Sequence, residues 1–158
     1  MLRSSGPYTP AVYHPLDAKA QEIRLLVLEA GTAEQSVYCS LHVVSLLSDP
    51  KPQYETVSYA WGDTSLRSTI FVSGRSKNVP AGPGRVLQRM RLATKSRVLW
   101  IDAICIDQDN LSERDQQVSI MPQIYSNTRR NLVWLGEDDG FTECALSSIA
   151  QLATRANL

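Results

Sequence analysis

Three short apolar runs, each followed at once by a polar, mostly acidic cluster, constrain the fold of this chain most. They are TVSYA at residues 56–60, VLWI at residues 98–101 and LVWL at residues 132–135. Runs of this length are typical of strands buried on both faces of a sheet, because neither face has to meet water. Segments with helical periodicity lie between them. Strands that alternate with helices predict βαβ units and a mainly parallel sheet.

Three helices are predicted between and after these runs. Residues 84–97 carry apolar side chains on one face, five basic residues and no acid. Residues 112–125 open with a capping box at Ser112. Pro122 inside this pattern predicts a kink or a shortened helix, because proline has no amide hydrogen to donate. Residues 141–153 show the apolar stripe of a third amphipathic helix.

The N-terminal part of the chain has antiparallel character instead. Residues 1–20 contain three prolines and predict an extended lead-in. Residues 23–28 and 37–44 are apolar or alternating runs joined by a segment with Gly31, a pattern that predicts an antiparallel hairpin. A smaller hairpin is predicted at residues 70–74 (IFVSG). The predicted fold class is therefore α/β, with a mainly parallel sheet flanked by helices and an N-terminal antiparallel β-hairpin.

Length and charge limit the classes of function. The 158 residues fit one domain, residues 21–158, with a hairpin section at 21–50 and an α/β core at 53–158. Basic and acidic residues number 16 each, so the formal net charge is zero and a strongly basic nucleic-acid-binding protein is not indicated. The N-terminus lacks the pattern of a signal peptide. No stretch approaches the roughly 20 apolar residues that span a bilayer.

Cysteine and histidine usage argues against disulfides, a zinc site and a nucleophilic hydrolase. Cys39, Cys105 and Cys144 are far apart and form no CxxC pair, so neither a disulfide framework nor a zinc site is predicted. Each lies among apolar residues, which predicts buried free thiols in a reducing, cytoplasmic or nuclear compartment. His14 and His42 belong to no nucleophile arrangement, which argues against a Ser–His or Cys–His hydrolase.

The polar clusters after the three runs are expected to share one edge of the sheet, where open α/β sheets bind ligands. Two interpretations stay open. The acids either form a polar ligand site with one carboxylate as acid or base, or they cap the helices and turns that follow. The acids show no regular ligand spacing of the kind that would indicate a metal site. The candidate ligand-binding residues are Trp61, Gly62, Asp63, Asp102, Asp107, Gln108 and Glu137.

The basic helix offers a second candidate site. The GPG turn at residues 82–84 reads either as a helix entry or as a phosphate cradle. The basic side chains that follow, beginning with Arg85, either bind phosphate or an acidic partner or form a solvated helix face.

Longer motifs in this chain resemble those of one family. In order they are IRLLVLEAG at 23–31, YETVSYAWGD at 54–63, LWIDAICIDQ at 99–108 and MPQIYSNTRRNLVWLG at 121–136. With this order and spacing the chain resembles the HET domain of fungal heterokaryon-incompatibility proteins. The resemblance implies a cytoplasmic module for nonself recognition after hyphal fusion, a process that ends in programmed cell death.

HET domains are in turn similar to TIR domains, and YETVSYAWGD looks like the first TIR box. The resemblance implies a flavodoxin-like sheet in which the strand at 56–60 lies between those at 98–101 and 132–135. It also implies a crevice between residues 61–63 and residues 136–137.

The sequence departs from the family pattern in two informative places. The family usually has Asn where Asp107 stands, so an amide is replaced by a side chain that only accepts hydrogen bonds. The family domain normally continues past Leu158, which predicts a truncated chain or a short gene product. A missing last strand predicts an exposed sheet edge that favours self-association.

The resemblance leaves two functions open. One is a signalling module that self-associates or binds protein partners, with neither nucleic acid nor a membrane span involved. The other is an enzyme, because some TIR relatives cleave the nicotinamide–ribose bond of NAD. NAD is then a substrate, and no cofactor is predicted. That reaction needs a carboxylate beside the ribose. The candidate catalytic residues are Glu143 and Glu113, and Glu113 is alternatively a helix-dipole or capping acid.

Overall fold

The computed structural model describes residues 12–60, 62–63, 65–137 and 147. Seven strands and four helices lie in this part of the chain. In chain order they are β1 Glu22–Leu28, β2 Tyr38–Ser45, β3 Glu55–Tyr59, β4 Arg67–Val72, β5 Arg75–Pro80, α1 Ala81–Met90, β6 Arg97–Trp100, α2 Asp102–Cys105, α3 Leu111–Ser119, α4 Met121–Ser126 and β7 Arg130–Trp134.

All seven described strands join one sheet in the order β5-β4-β2-β1-β6-β3-β7. Among these strands, β2–β4, β3–β6 and β3–β7 pair in parallel, whereas β1–β2, β1–β6 and β4–β5 pair antiparallel. The sheet is therefore mixed, and the prediction of a mainly parallel sheet is wrong. Both predicted hairpins are present as the antiparallel pairs β1–β2 and β4–β5.

The mixed topology comes from the position of β1. This strand lies between β2 and β6 and runs antiparallel to both, with Leu26 opposite Leu41 on one side and Leu99 on the other. Most of its side chains are buried. A strand covered on both faces reads as a continuous apolar run whether its neighbours are parallel or antiparallel, so the sequence pattern does not distinguish the two directions.

The apolar runs at 56–60, 98–101 and 132–135 correspond to β3, β6 and β7, and these strands form a parallel group. β3 lies between β6 and β7, as the family resemblance implied. Glu55 at the start of β3 is aligned with Leu99 of β6 and Arg130 of β7. The order of these three strands determines which loops meet at each edge of the sheet.

Helix α1 begins earlier and ends earlier than residues 84–97, so the predicted bounds are wrong. Pro83 is tolerated because the amides of the first helical turn have no intrahelical acceptor to lose. Gly84 packs so close to β4 that an added Cβ would lie 2.6 Å from the Ser68 Cβ. The helix ends at Met90, and its C-cap Arg91 has extended backbone, so the basic residues that follow lie in the loop and in β6.

The predicted helix at 112–125 is two helices, α3 and α4, which meet at Ile120. Pro122 lies in the first turn of α4, so the predicted interruption is confirmed. The N-cap of α3 is Asn110 rather than Ser112, and its side chain accepts a hydrogen bond from the Glu113 amide. The predicted helix at 141–153 lies outside the described residues.

The core holds apolar side chains from both sections of the chain. Cys39 and Cys105 are buried free thiols, as predicted, and burial raises the pKa of the Cys105 thiol to about 12. Cys144 lies outside the described residues. No helix in the described ranges has the length and apolar character that crossing a membrane requires.

Candidate functional site

The carboxyl ends of β6, β3 and β7 form the edge where the sequence places the candidate site. Asp102 opens α2 directly after β6. Gly62 and Asp63 come after β3, and Gly136 and Glu137 come after β7. Because the three strands are parallel, these segments lie along one rim, as predicted. Trp61 and Glu143, also proposed from the sequence, lie outside the described residues.

A crevice of about 330 Å³ opens on this rim between the segments that follow β3 and β7. We call it the carboxyl-edge crevice, and it lies where it was expected. Gly62 and Gly136 have φ values of 65° and 122°, a backbone conformation that favours glycine. The lining residues are Ala60, Gly62, Gly82, Arg85, Trp134, Leu135, Gly136 and Glu137.

The first turns of α1 supply another wall of the crevice. Gly82 and Arg85 line it, so the basic helix picked out from the sequence contributes to the same site. Arg85 is exposed and Glu137 is exposed. Among the described lining residues, these two side chains are the charged ones. The crevice therefore carries one cation, on α1, and one carboxylate, in the segment after β7.

Asp102 is tied into the centre of the rim. The Tyr59 hydroxyl donates to Asp102 Oδ1 at 3.2 Å, and the Ala103 amide donates to the same oxygen at 2.7 Å. Burial raises the pKa of Tyr59, and the negative charge of Asp102 raises it further. Tyr59 therefore stays a hydrogen-bond donor at neutral pH and links the end of β3 to the first turn of α2.

A second tyrosine lies near this carboxylate. Burial raises the pKa of Tyr125, with a smaller contribution from Asp102. The Tyr125 ring contacts Trp100 edge-on, with ring centroids 5.8 Å apart and an interplanar angle of 76°. Trp100 is fully buried, so α4 is packed against the end of β6 immediately before Asp102.

The remainder of LWIDAICIDQ folds back on itself. Gln108 Nε2 donates to the Asp102 carbonyl at 2.9 Å, which closes the segment around α2. The Asp107 amide donates to Glu113 Oε1 at 2.8 Å. Asp107 Oδ1 accepts from the Asp109 amide at 3.3 Å. This bond requires an acceptor oxygen, which the Asn expected at this position from the family resemblance would also supply.

Glu113 forms a buried ion pair with Arg24 of β1. Nη1 and Nη2 of Arg24 donate to Oε1 and Oε2 of Glu113 at 2.5 and 2.9 Å, a bidentate arrangement. Arg24 is 1% exposed and Glu113 is 7% exposed. Arg24 also donates to the carbonyls of Cys105 (3.2 Å) and His14. Through these bonds β1 holds the 101–113 segment in place.

The electrostatics of Glu113 fit this holding role. Burial raises the pKa of the carboxyl, but hydrogen bonds from Arg24 and from the Asp107 amide outweigh that effect, and the net pKa is lowered. Both oxygens of the ionised carboxylate are engaged. The predicted catalytic role of Glu113 stays a prediction, whereas the observed contacts are structural.

Asp63 is exposed and shapes the turn after β3. Its Oδ1 accepts from the Ser65 hydroxyl at 2.6 Å and from the Ser65 amide at 2.8 Å. These bonds lower the pKa of Asp63. In the structure Asp63 caps a turn, which agrees with the second of the two interpretations given for the acids. Its ligand-binding role stays a prediction.

The described candidate residues thus lie in three places. Gly62 and Glu137 line the carboxyl-edge crevice, and Asp102, Asp107 and Gln108 belong to the hydrogen-bonded loop beside it. Asp63 holds the turn after β3. Sequence reasoning missed the residues that hold this loop, Arg24 and Tyr59. The detectable signal for Arg24 was a lone charge inside the apolar run IRLLVL. A charge in a buried strand requires a partner.

Comparison with known proteins decides the family. Residues 54–157, more than half of the chain, match the profile of the family described as heterokaryon incompatibility protein (HET). This chain belongs to the HET family. It is also 30% identical to Heterokaryon incompatibility protein 6, OR allele, of Neurospora crassa, over 86% of this chain and 22% of that protein. No solved structure matches the chain.

The HET match begins at Tyr54, directly before β3, and includes β6, β7 and the helices between them. The β1–β2 hairpin precedes the matched residues, yet its Arg24 holds the LWIDAICIDQ loop through Glu113. The candidate rim of this HET domain is therefore supported from outside the matched segment. The chain spans about a fifth of the length of the Neurospora relative.

Proposed function

We propose that this chain is a heterokaryon-incompatibility signalling module that acts through self-association or protein partners. The HET match over residues 54–157 carries the proposal, because it covers the whole parallel group and the rim that follows it. The Neurospora relative is named for heterokaryon incompatibility. Similarity to that protein over most of this chain supports the same role here.

The outer strand β7 supports an assembly mechanism. Among the described strands it pairs with β3 alone, on one side. Val133 within β7 is 65% exposed and Leu135 just after it is 83% exposed. A strand edge beside exposed apolar side chains is a template for pairing with another chain. We propose a second copy of this domain as the partner at this edge.

Light scattering across a protein concentration series tests the assembly mechanism. Val133→Lys is expected to shift the protein toward monomer, because edge lysines oppose strand pairing. Val118→Lys on α3 is the matched control, since Val118 is also exposed, at 53%. The control is expected to associate like the unmodified chain. An unmodified chain that stays strictly monomeric at high concentration would contradict self-association.

Expression of the chain in a filamentous fungus, scored for cell death, tests the rim. Asp102→Ala is expected to abolish death while the protein keeps its folded circular-dichroism signal. The Asp102 side chain accepts hydrogen bonds from the Tyr59 hydroxyl and the Ala103 amide, and alanine at this position is compatible with the backbone that opens α2. Asp109→Ala, on the exposed side of the same loop, is the control and is expected to retain activity. Loss of the folded signal in Asp102→Ala would mark that residue as structural instead.

A second candidate function is cleavage of NAD, and the carboxyl-edge crevice favours it. Its volume lies within the range of small-molecule sites, roughly 300–1,000 Å³. Arg85 offers a guanidinium to a pyrophosphate, and Glu137 offers a carboxylate to the oxocarbenium-like state that forms as nicotinamide leaves. We propose Glu137 and Glu143 as the carboxylates to test, since Glu113 is engaged by Arg24.

Nicotinamide release from NAD, followed at high protein concentration with a crowding agent, tests the enzyme. Glu137→Gln or Glu143→Gln is expected to abolish release. Arg85→Gln is expected to raise KM for NAD, whereas Arg89→Gln, on the same helix but outside the crevice lining, leaves it unchanged. Absence of turnover under every assembly condition would remove the enzymatic proposal and leave the signalling one standing.

A further inference from the structure

The opposite edge of the parallel group carries a second, larger cavity. Its volume is about 440 Å³, and it lies where β3, β6 and β7 begin, at the end of the strands away from the carboxyl-edge crevice. We call it the amino-edge pocket. Its lining residues are Gln53, Tyr54, Glu55, Leu92, Lys95, Ser96, Arg97, Val98, Arg129 and Arg130.

Positive charge is concentrated in this pocket. Three arginines and one lysine line it with a single acid, Glu55, a balance of +4 and −1. The chain as a whole is neutral, with 16 basic and 16 acidic residues. A neutral chain that collects a net charge of about +3 in one concavity creates a local field that attracts anions.

Glu55 serves the arginines rather than neutralising the whole pocket. Its Oε2 accepts from Arg97 Nε at 2.5 Å, and its Oε1 accepts from Arg130 Nε at 2.6 Å. The other side of Arg97 is fixed as well, because Nη1 donates to the Met90 carbonyl at 3.0 Å. Glu55 therefore holds two guanidinium groups of the pocket lining in place.

Lys95 and Arg129 remain for a ligand. Within the described ranges, neither takes part in a salt bridge, and both are exposed. The backbone beneath Arg129 is fixed, because its amide donates to the Tyr54 carbonyl at 2.9 Å. The Thr128 hydroxyl donates to the same carbonyl at 3.0 Å. Arg129 thus projects from an ordered wall, and Lys95 lines the same pocket from the loop before β6.

We infer that the amino-edge pocket binds a small phosphate-bearing anion, independently of the carboxyl-edge crevice. The fork of a guanidinium matches the oxygens of a phosphate in a bidentate manner, and three of the four cations here are arginines. The volume suits a ligand with more than one phosphate rather than a single inorganic ion. The bound anion replaces the solvent around Lys95 and Arg129.

Isothermal titration calorimetry with sodium tripolyphosphate at low ionic strength tests the inference. The unmodified chain is expected to bind with a defined stoichiometry. Lys95→Gln/Arg129→Gln is expected to weaken binding by about tenfold or more, because two charge-assisted contacts are lost. Arg67→Gln/Arg114→Gln removes the same charge from exposed positions outside the pocket and is expected to change affinity less than about twofold.

Three results would overturn the inference. The first is no binding of tripolyphosphate by the unmodified chain, and the second is an equal loss of affinity in the two double variants, which would indicate diffuse surface charge. The third is equally tight binding of citrate, which would assign the pocket to carboxylates. Circular dichroism of both double variants verifies that they are folded. Neither double variant alters the carboxyl-edge crevice, so failure here leaves the proposed function intact.

Discussion

Two clusters of arginine and glutamate lie in the part of the chain that the structure describes, and they differ in burial. Arg24 and Glu113 are both buried, with side-chain exposures of 2% and 6%. Glu55 is similarly covered at 9%, but one of its partners, Arg130, is 63% exposed. Both clusters use charge-assisted hydrogen bonds between guanidinium and carboxylate.

The difference in burial indicates different roles. The Arg24–Glu113 pair is a structural clamp, and the Glu55 cluster is a support for a binding surface. Nη1 and Nη2 of Arg24 also donate to backbone carbonyls of the 101–113 loop and the N-terminal segment, and the pair is buried from solvent. The cluster at Glu55 borders the amino-edge pocket, where water and ligands reach the arginines. The same ion-pair chemistry therefore has different consequences, because an exposed cation keeps its hydration when its partner is removed.

The largest effect is expected for Glu113→Gln. This change leaves the buried Arg24 charge without a carboxylate, and losing one partner of a buried pair costs about 3–5 kcal/mol. The free energy of unfolding from urea titration measures it. Asp115→Gln, an exposed acid on the same helix, is the control and is expected to shift that energy by less than about 0.5 kcal/mol.

A double variant sharpens this prediction. Arg24→Met/Glu113→Leu removes both charges, so no buried ion is left unpaired, and it is expected to recover a large part of the lost stability. A loss for Glu113→Gln below about 1 kcal/mol would show that the pair contributes no more than an exposed one. The buried Glu113 pair and the partly exposed Glu55 cluster would then not differ in their contribution to stability.

A smaller effect is expected for Glu55→Gln, a loss of about 1–2 kcal/mol in the free energy of unfolding. Arg130 remains hydrated when the carboxylate is removed, and Arg97 keeps its bond to the Met90 carbonyl. A stability loss equal to that of Glu113→Gln would remove the distinction between clamp and support.

The smallest effect is a change in pH dependence. The pKa of Glu113 is lowered despite its burial, because Arg24 and the Asp107 amide favour the charged form. Its stabilisation is therefore present above the unfolded pKa of glutamate, about 4.3, and is lost as pH falls through the lower folded pKa. Below pH of about 4.3, the free energy of unfolding is expected to fall less steeply in Glu113→Gln than in the unmodified chain.

The pKa of Glu55 is also lowered. Burial raises it, but the hydrogen bonds and positive charges of Arg97 and Arg130 outweigh burial. Glu55→Gln is thus expected to flatten the acid limb as well. Urea titrations at a series of pH values measure both slopes. Identical slopes in all three proteins would contradict the assignment of these carboxyls as ionised ion-pair partners.

Much of the parallel group and its rim could be predicted from the sequence. The runs at 56–60, 98–101 and 132–135 correspond to β3, β6 and β7, and the crevice opens between the segments expected from the family resemblance. Pro122 marks a real helix boundary. These features depend on side-chain periodicity and on residues with restricted backbones, which act within a few positions along the chain.

The supports of the rim could not be predicted in the same way. Arg24 and Glu113 are 89 residues apart, and no local pattern joins them. Tyr59 belongs to an apolar run, and the partner of its hydroxyl is Asp102, which opens α2 after the neighbouring strand β6. The Glu55 cluster likewise requires Arg97 and Arg130 to start neighbouring strands.

The sequence alone determined the strands, the two hairpins and the positions of the polar clusters, because alternation, apolar runs and turn residues are local properties. The tertiary structure decided the direction of β1 beside β6, the closure of the LWIDAICIDQ loop and the charge of the amino-edge pocket. Each of these depends on which distant segments share space, and burial beside a particular partner sets the energy of a charge.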